Sequence, residues 1–467
     1  MDQTNQVVTQ ESTPSSIAPV GIGHALAEVI RVALPLMVST GTFSLVLFAD
    51  RTLLLWYDGA CMSASMAAGN AFWTLICVPV GIVSMTSAII GQCIGSGQPA
   101  LVGRLLWQVL WLALLCVPLF AACAWFAPEL FAGFGQPTEL IGLESTYLRI
   151  LMCGAIGIVI EAGLSGFFSG TERTYVIMWV SLACGLLNVA LDVVLIFGFA
   201  ALPAMGITGA AIASAVSFWF KALVFAGLLA WPTYEAVYGI RSGRSLDRGL
   251  LRKLLFFGLP SGLMYVVEAG AFAFIVLQIG RLGDVALQAT TMAINFNMVA
   301  FIPLVGVSIS ASVLVGKHLT ESGPKRAKHV VIASLLIAWS YSLVWALAYL
   351  GLPDQMLSLY RTSSMSAESL QAMEIARGLL GFVAIYVIFD ATQLILAGAL
   401  RGAGDTWFVL IAGGSVSAIA IAIGFYGEPA DQPLRWWWWM VTMWILMLCL
   451  AMTARYLQGR WKSMRMV

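Results

Sequence analysis

Long apolar runs constrain this chain more than any other feature. Twelve of them, 28–55, 62–91, 104–127, 146–169, 175–199, 207–231, 252–280, 286–316, 329–351, 375–399, 406–425 and 435–457, are long enough to span a bilayer. A hydrocarbon core of about 30 Å takes roughly 20 residues of helix. Hydrophobic residues make up 60% of the chain and charged ones 10%, against about a quarter charged in a soluble domain. The solvent for this surface must be lipid. Lipid offers no hydrogen bonds, so backbone groups must be satisfied within each segment, and helices are expected. The fold class expected is all-α integral membrane protein.

The runs fall into two halves. ALP at 33–35 opens the first run and GLP at 258–260 the seventh, 225 residues apart. VGIVSMTSAIIGQ (80–92) and VGVSISASVLVGK (305–317) close the second and eighth at the same offset, each with two glycines ten residues apart. GFFSGTERTY (166–175) and GALRGAGDTW (398–407) follow the fourth and tenth at an offset of 232. Each half holds six runs, an even number, so both lie in the same direction, related by an axis along the membrane normal. Two six-helix lobes are expected, 24–233 and 254–458, joined by a polar linker at 234–253. Residues 1–23 read as a disordered tail and 459–467 as a second tail.

Lys and Arg set the orientation. With the N-terminus inside, one side carries Arg31, Arg104, Arg173, five residues within 241–253, four within 317–328, Arg401 and four within 455–465. The other side carries only Arg51, Arg149, Arg281, Arg361, Arg377 and Arg435. Both termini and the linker are therefore expected in the cytoplasm, and the chain in a plasma (inner) membrane. The indoles of Trp436–Trp439 then sit at the outer interface.

Several function classes fall away. A net charge of +1 gives nucleic acid no electrostatic footprint. The eight cysteines form no C-x-x-C pair and read as small buried hydrophobes. The three histidines, His24, His318 and His329, stand near expected loops, a poor basis for a metal site or triad. GAGD at 402–405 lacks the G-K-[ST] of a phosphate loop. No selectivity-filter run is present. An enzyme is not expected, nor any cofactor.

Four carboxylates carry the functional signal. Asp50, Asp192, Glu268 and Asp390 lie in or at the end of apolar runs, where an acid at the bilayer centre costs roughly 2.5–3.5 kcal/mol on an insertion scale. Tyr386 and Gln393 lie four before and three after Asp390, so all three share a helix face. Asn188 and Asp192 are one turn apart on another. Asp50 is followed at once by Arg51, a pattern also found at a helix end. Glu161 matches Gln393 at the 232 offset; each either lines a cavity or holds helices together. Lys221 is an embedded cation or a snorkelling one.

The same segments carry a resemblance. Pro260 eight residues before Glu268, then GRLGDVAL, FIPLVGVSISASVLVGKHL and FDATQLILAGALRGAGDT, resemble the multidrug and toxic compound extrusion (MATE) transporters, most of all their NorM-like branch. The resemblance runs from about residue 28 to 455. It implies a MATE/MOP-type fold of two lobes forming a V, and a monomeric antiporter. Such a protein exports organic, cationic or amphipathic drug-like compounds in exchange for H⁺ or Na⁺ by alternating access. Carried over by position, Glu268, Asp390 and Tyr386 match the cation-linked residues of the second lobe, where Na⁺ would bind. Asp50 matches a first-helix acid, and Asn188 with Asp192 an Asn-x-x-x-Asp pair better known in the DinF-like branch. Acids in both lobes depart from either pattern and leave open which lobe carries the coupling ion. A lipid-linked precursor flippase of the same superfamily is the alternative, although it would want a ring of basic residues.

Overall fold

A computed structural model describes residues 21–135, 137–199, 202–360 and 367–466. Among them twelve helices are long and apolar enough to cross a membrane: Ile22–Tyr57, Gly59–Gly95, Ala100–Trp125, Thr138–Gly170, Thr174–Phe197, Ile207–Leu229, Arg248–Gly280, Asp284–Glu321, Pro324–Gly351, Ala367–Ala403, Thr406–Tyr426 and Pro433–Gln458. Each expected run corresponds to one helix. Several helices are longer than their runs. The fourth starts at Thr138 and the tenth at Ala367, because their first turns carry Glu139 and Glu368. Such turns stay helical but leave the apolar count.

Other boundaries move for local reasons. The first helix is under way at Ile22, inside the expected tail; the rest of that tail, 1–20, lies outside the described residues, as does Arg361. The linker is shorter than 234–253. A short helix occupies Pro232–Tyr238, and the seventh helix starts at Arg248. The Asp247 carboxylate caps that start, accepting from the N–H groups of Gly249 and Leu250 at 3.0 and 3.1 Å; this satisfies donors with no helical partner. The C-terminal segment is docked. Trp461 and Met466 are each 2% exposed, and the Met466 N–H donates to Gln92 Oε1 at 2.7 Å. The three histidines lie within helices rather than loops, and His318 is buried in the last turn of the eighth.

The two lobes meet through glycines, and the contacts repeat with the sequence. A Cβ on Gly81 would overlap the backbone of Ser261 and Gly262 in the seventh helix. At the 225-residue offset, a Cβ on Gly306 would sit 2.6 Å from the Met37 nitrogen, beside Leu36, in the first helix. Residues 261 and 262 less 225 are 36 and 37, so these are one contact made twice about a two-fold axis. Nearer the face that carries the termini, Gly91 approaches the Val313 carbonyl and Gly316 that of Ala88, again a related pair. Within the second lobe Gly402 lets the tenth helix ride on the Ser312 carbonyl; within the first, Gly170 does the same on Ser87. Lipid gives apolar helices no reason to associate, so close backbone packing of this kind holds such bundles together.

Side chains close the same face. Glu28 of the first helix accepts from Arg326 at 2.8 Å and lies 2.7 Å from His318 Nε2. Lys317 pairs with Glu172. Gln92 Nε2 donates to the Gly402 carbonyl at 2.9 Å. All join one lobe to the other. Toward the opposite face, the Gly59–Ser84 stretch of the second helix does not pack on the eighth, whereas Thr86–Gly95 does. The lobes are shut at the face of the termini and part toward the other.

Gly402→Val should abolish a monodisperse peak in fluorescence-detected size exclusion, because the eighth and tenth helices can no longer close. Gly414→Ala, whose Cβ meets nothing within 4 Å, should elute like the parent. Equal behaviour of the two would show that backbone contact at Gly402 does not hold the lobe.

Candidate functional site

Each lobe encloses a carboxylate cluster. In the first lobe, Asp50 comes from the first helix, Asn188 and Asp192 from the fifth, and Tyr147 from the fourth. The first and fifth helices are brought together by a 2.6 Å hydrogen bond between the Ser39 and Ser181 hydroxyls. Gly185 adds to this: a Cβ there would lie 2.9 Å from Thr42 Cγ2. Asp192 is 0% exposed, Asn188 2% and Asp50 5%. The Tyr147 hydroxyl donates to Asp50 Oδ2 at 3.1 Å. Asp50 Oδ1, both Asp192 oxygens and Asn188 Oδ1 have no hydrogen-bond partner. Asp192 lies near enough to Asp50 to feel its charge. Buried polar atoms are ordinarily satisfied, so unpartnered acceptors gathered in one lobe have the chemistry to take a proton or a hard cation, which takes oxygen ligands. Asp50 is not at a helix end: its helix runs on seven residues to Tyr57.

In the second lobe the tenth helix places Tyr386, Asp390 and Gln393 on one face, 3%, 7% and 8% exposed. Gln393 Nε2 donates to Asp390 Oδ1 at 3.2 Å. Tyr386 shares the face without hydrogen-bonding to Asp390. Glu268, half-buried on the seventh helix, lies within electrostatic reach of Arg401 and Asp390 but does not hydrogen-bond to either. Among the described residues no three His, Cys, Asp or Glu side chains cluster tightly enough to hold a metal ion. A sodium ion here would have to draw on phenol, amide or carbonyl oxygens as well.

Glu161 and Gln393, matched in the repeat, have different surroundings. Glu161 forms a 2.8 Å ion pair with Lys221, tying the fourth helix to the sixth. The Asp of the GAGDT segment binds a partner helix: Asp405 takes a bidentate pair from Arg455, at 2.6 and 3.1 Å.

Sequence reading missed Tyr147, because a tyrosine in an apolar helix carries no charge signal. It also missed Glu144, one turn away, 1% exposed with both carboxylate oxygens unpartnered; that acid was visible, but lay outside the expected run. Gln92 could have been found, since it ends a repeated segment opposite Lys317.

Twelve helices in two repeat-related lobes, shut at one face and parted at the other, with acids sunk in each lobe, define a two-lobed membrane transporter. The MatE family model matches the chain twice, over residues 35–194 and 260–426. The two starts are 225 residues apart, the offset of the internal repeat. The chain belongs to the MATE family of transporters, in its NorM-like branch, and is not an enzyme. It is 29% identical over 392 residues to the multidrug resistance protein PmpM of Pseudomonas aeruginosa, covering 83% of this chain and 80% of that protein. It is 27% identical over 411 residues to a probable multidrug resistance protein NorM of Burkholderia mallei, covering 88% and 85%. Among solved structures, the eukaryotic MATE transporter AtDTX14 superposes with a TM-score of 0.82 at 18% identity, over 94% of this chain and 97% of that one. A MOP superfamily transporter from Pyrococcus furiosus, described as having a binding pocket of reversed polarity that suggests a different function, superposes at 0.79 with 20% identity, over 93% and 95%. The fold is thus shared, and function has to be argued from the site itself.

The Glu161–Lys221 pair has side chains only 13% and 22% exposed. Lys221→Met should lower the thermal unfolding midpoint in detergent, because removing one partner of a buried pair strands the other charge, at a cost on the order of 2 kcal/mol or more. Adding Glu161→Gln should recover much of that loss. If the double variant is as unstable as the two single losses summed, the pair does not hold the helices.

Proposed function

We propose that this transporter exports organic, cationic or amphipathic compounds across the inner membrane in exchange for inward H⁺ or Na⁺, by alternating access. The observation that carries this reading is the pair of carboxylate clusters sunk in the lobes, one in each, between which the second and eighth helices pack on each other at one end only. A carboxylate in so dry a site can be neutralised by a proton, a metal ion or a drug cation, but not comfortably by two together. That competition gives ligand and coupling ion opposite preferences between two states, which alternation requires. The family and the names of its multidrug-resistance relatives support drug-like substrates. With both termini cytoplasmic, as the Lys and Arg count favours, the parted face is the outer one and the conformation is outward-open. Na⁺ would bind around Glu268, Asp390 and Tyr386, or around Asp50, Asn188 and Asp192. A lipid-precursor flippase has less support, because the one embedded lysine is neutralised by Glu161.

The test is ethidium efflux from preloaded whole cells, with Na⁺ and pH gradients imposed separately. Glu268→Gln and Asp390→Asn should each cut efflux at least ten-fold while leaving expression and elution profile normal. An amide keeps size and hydrogen bonding but cannot take up and release a proton. Full efflux in both variants would make these acids structural.

Orientation is tested at the linker. Cysteines at Ser242 and Ser245, both exposed, in a cysteine-free background should label with an impermeant maleimide only after permeabilisation. Labelling in intact cells would invert the direction of transport.

A further inference from the structure

The parted halves of the second and eighth helices are exposed at repeat-related positions. Over the first eighteen residues of the second helix, the exposed positions are 59, 63, 66, 70, 73 and 74. Over the first eighteen of the eighth they are 284, 288, 291, 295, 298 and 299. Adding 225 to each member of the first set gives the second. The two stripes are therefore the same face of the repeat presented twice, on the two helices whose packing against each other is confined to the closed end.

These faces are not built for lipid. They present Ser63 and Asn70 on one side, and Gln288, Thr291 and Asn295 on the other. The fifth helix shows what a lipid face looks like in this chain: its exposed large side chains are Tyr175, Trp179, Leu186, Val193 and Phe197. A carboxamide held in hydrocarbon without a partner is costly, whereas one facing a water-filled cleft is not. The eighth-helix stripe and Tyr360, all of the second lobe, line a cavity of about 420 Å³, and there Asn295 Nδ2 donates to the Tyr360 hydroxyl at 3.2 Å, which holds the amide in the wall. At the inner end of the second-helix stripe, Trp73 is 39% exposed and lies 6.3 Å from the Tyr265 ring of the other lobe.

Asparagine is the residue that stands at both equivalent positions, 70 and 295. We propose that Asn70 and Asn295 are paired specificity positions of the cleft, hydrogen-bonding the polar groups of an amphipathic organic cation from opposite lobes while its aromatic surface lies against side chains such as Trp73 and Met298. Asp50, Asp192 and Asp390 are buried inside the lobes and Glu268 is half-buried on the seventh helix, so these stripes themselves offer shape and neutral hydrogen bonds but no fixed charge beyond Asp284 at the rim. A primary amide can both donate and accept, which suits ligands of varied polar decoration. The proposal deepens the export reading above and rests on it.

The experiment is equilibrium binding to the purified full-length protein in detergent, by fluorescence anisotropy and competition, independent of any gradient. Ethidium carries two aromatic amines that donate hydrogen bonds; tetraphenylphosphonium has the same charge and no hydrogen-bonding group. Asn70→Ala and Asn295→Ala should each weaken ethidium binding about five- to thirty-fold, the range of one hydrogen bond lost to a ligand. Tetraphenylphosphonium binding should change less than about two-fold. Both side chains are exposed, so neither substitution threatens the fold, and Asn295→Ser, which keeps a hydroxyl, should recover part of the ethidium affinity. Unchanged ethidium binding in both variants overturns the proposal. Equal losses for both ligands overturn it too, since they would reflect a general disturbance of the cleft. Failure of the parent protein to bind either cation would instead sink the export reading itself.

Discussion

The architecture depends on backbone meeting backbone where no side chain intervenes. Gly81 against Gly262, and its repeat partner Gly306 against Met37, let two six-helix lobes touch at points where any larger residue would push them apart. In water such lobes would be driven together by their apolar surfaces. In lipid that drive is absent, and contact must come from packing and polar links. The chain supplies both at the same level of the structure, glycines at the crossing points and ion pairs beside them. Glu28 meets both Arg326 and the His318 ring of the opposite lobe at once.

The acids of the two clusters are sparsely engaged: Asp50 accepts from Tyr147 and Asp390 from Gln393. Asp192 has both oxygens unsatisfied, while Asp405, equally buried, is fully engaged by Arg455. The contrast separates a structural carboxylate from a functional candidate more sharply than burial does. Asp405 ties the start of one helix to the end of another and leaves no acceptor idle. The Asp50–Asp192 cluster ties only Tyr147, and its remaining oxygens have no partner. A membrane protein retains such a cost where an ion is meant to relieve it.

Much of this was legible in the sequence, for a physical reason. Lipid forces helix and length, so twelve apolar runs yielded twelve helices. The duplicated glycine segments yielded the repeat before any contact was known. Legibility failed where polar turns extend a helix past its apolar run, as at Thr138 and Ala367, and where a capping side chain resets a boundary, as Asp247 does for the seventh helix. In the site, Asp50, Asn188, Asp192, Glu268 and Asp390 were conspicuous because charge in an apolar run is rare. Tyr147 was not, since its role depends on which helix stands opposite. Glu161 could be read either as lining a cavity or as holding helices together, and Lys221, sixty positions later and 2.8 Å away, supports the second.

The glycine crossings have a mechanical consequence. Gly81 stands 22 residues from one end of its helix, which spans Gly59–Gly95, and 14 from the other, giving arms of roughly 33 and 21 Å at about 1.5 Å per residue. For lobes rocking about this contact, a tilt of about 10° sweeps the long arm through roughly 6 Å and the short arm through roughly 4 Å. The helix is a lever of unequal arms. Pro79 and the break at Met85, between Ser84 and Thr86, lie close to the crossing, so the two arms meet where the helix is least continuous.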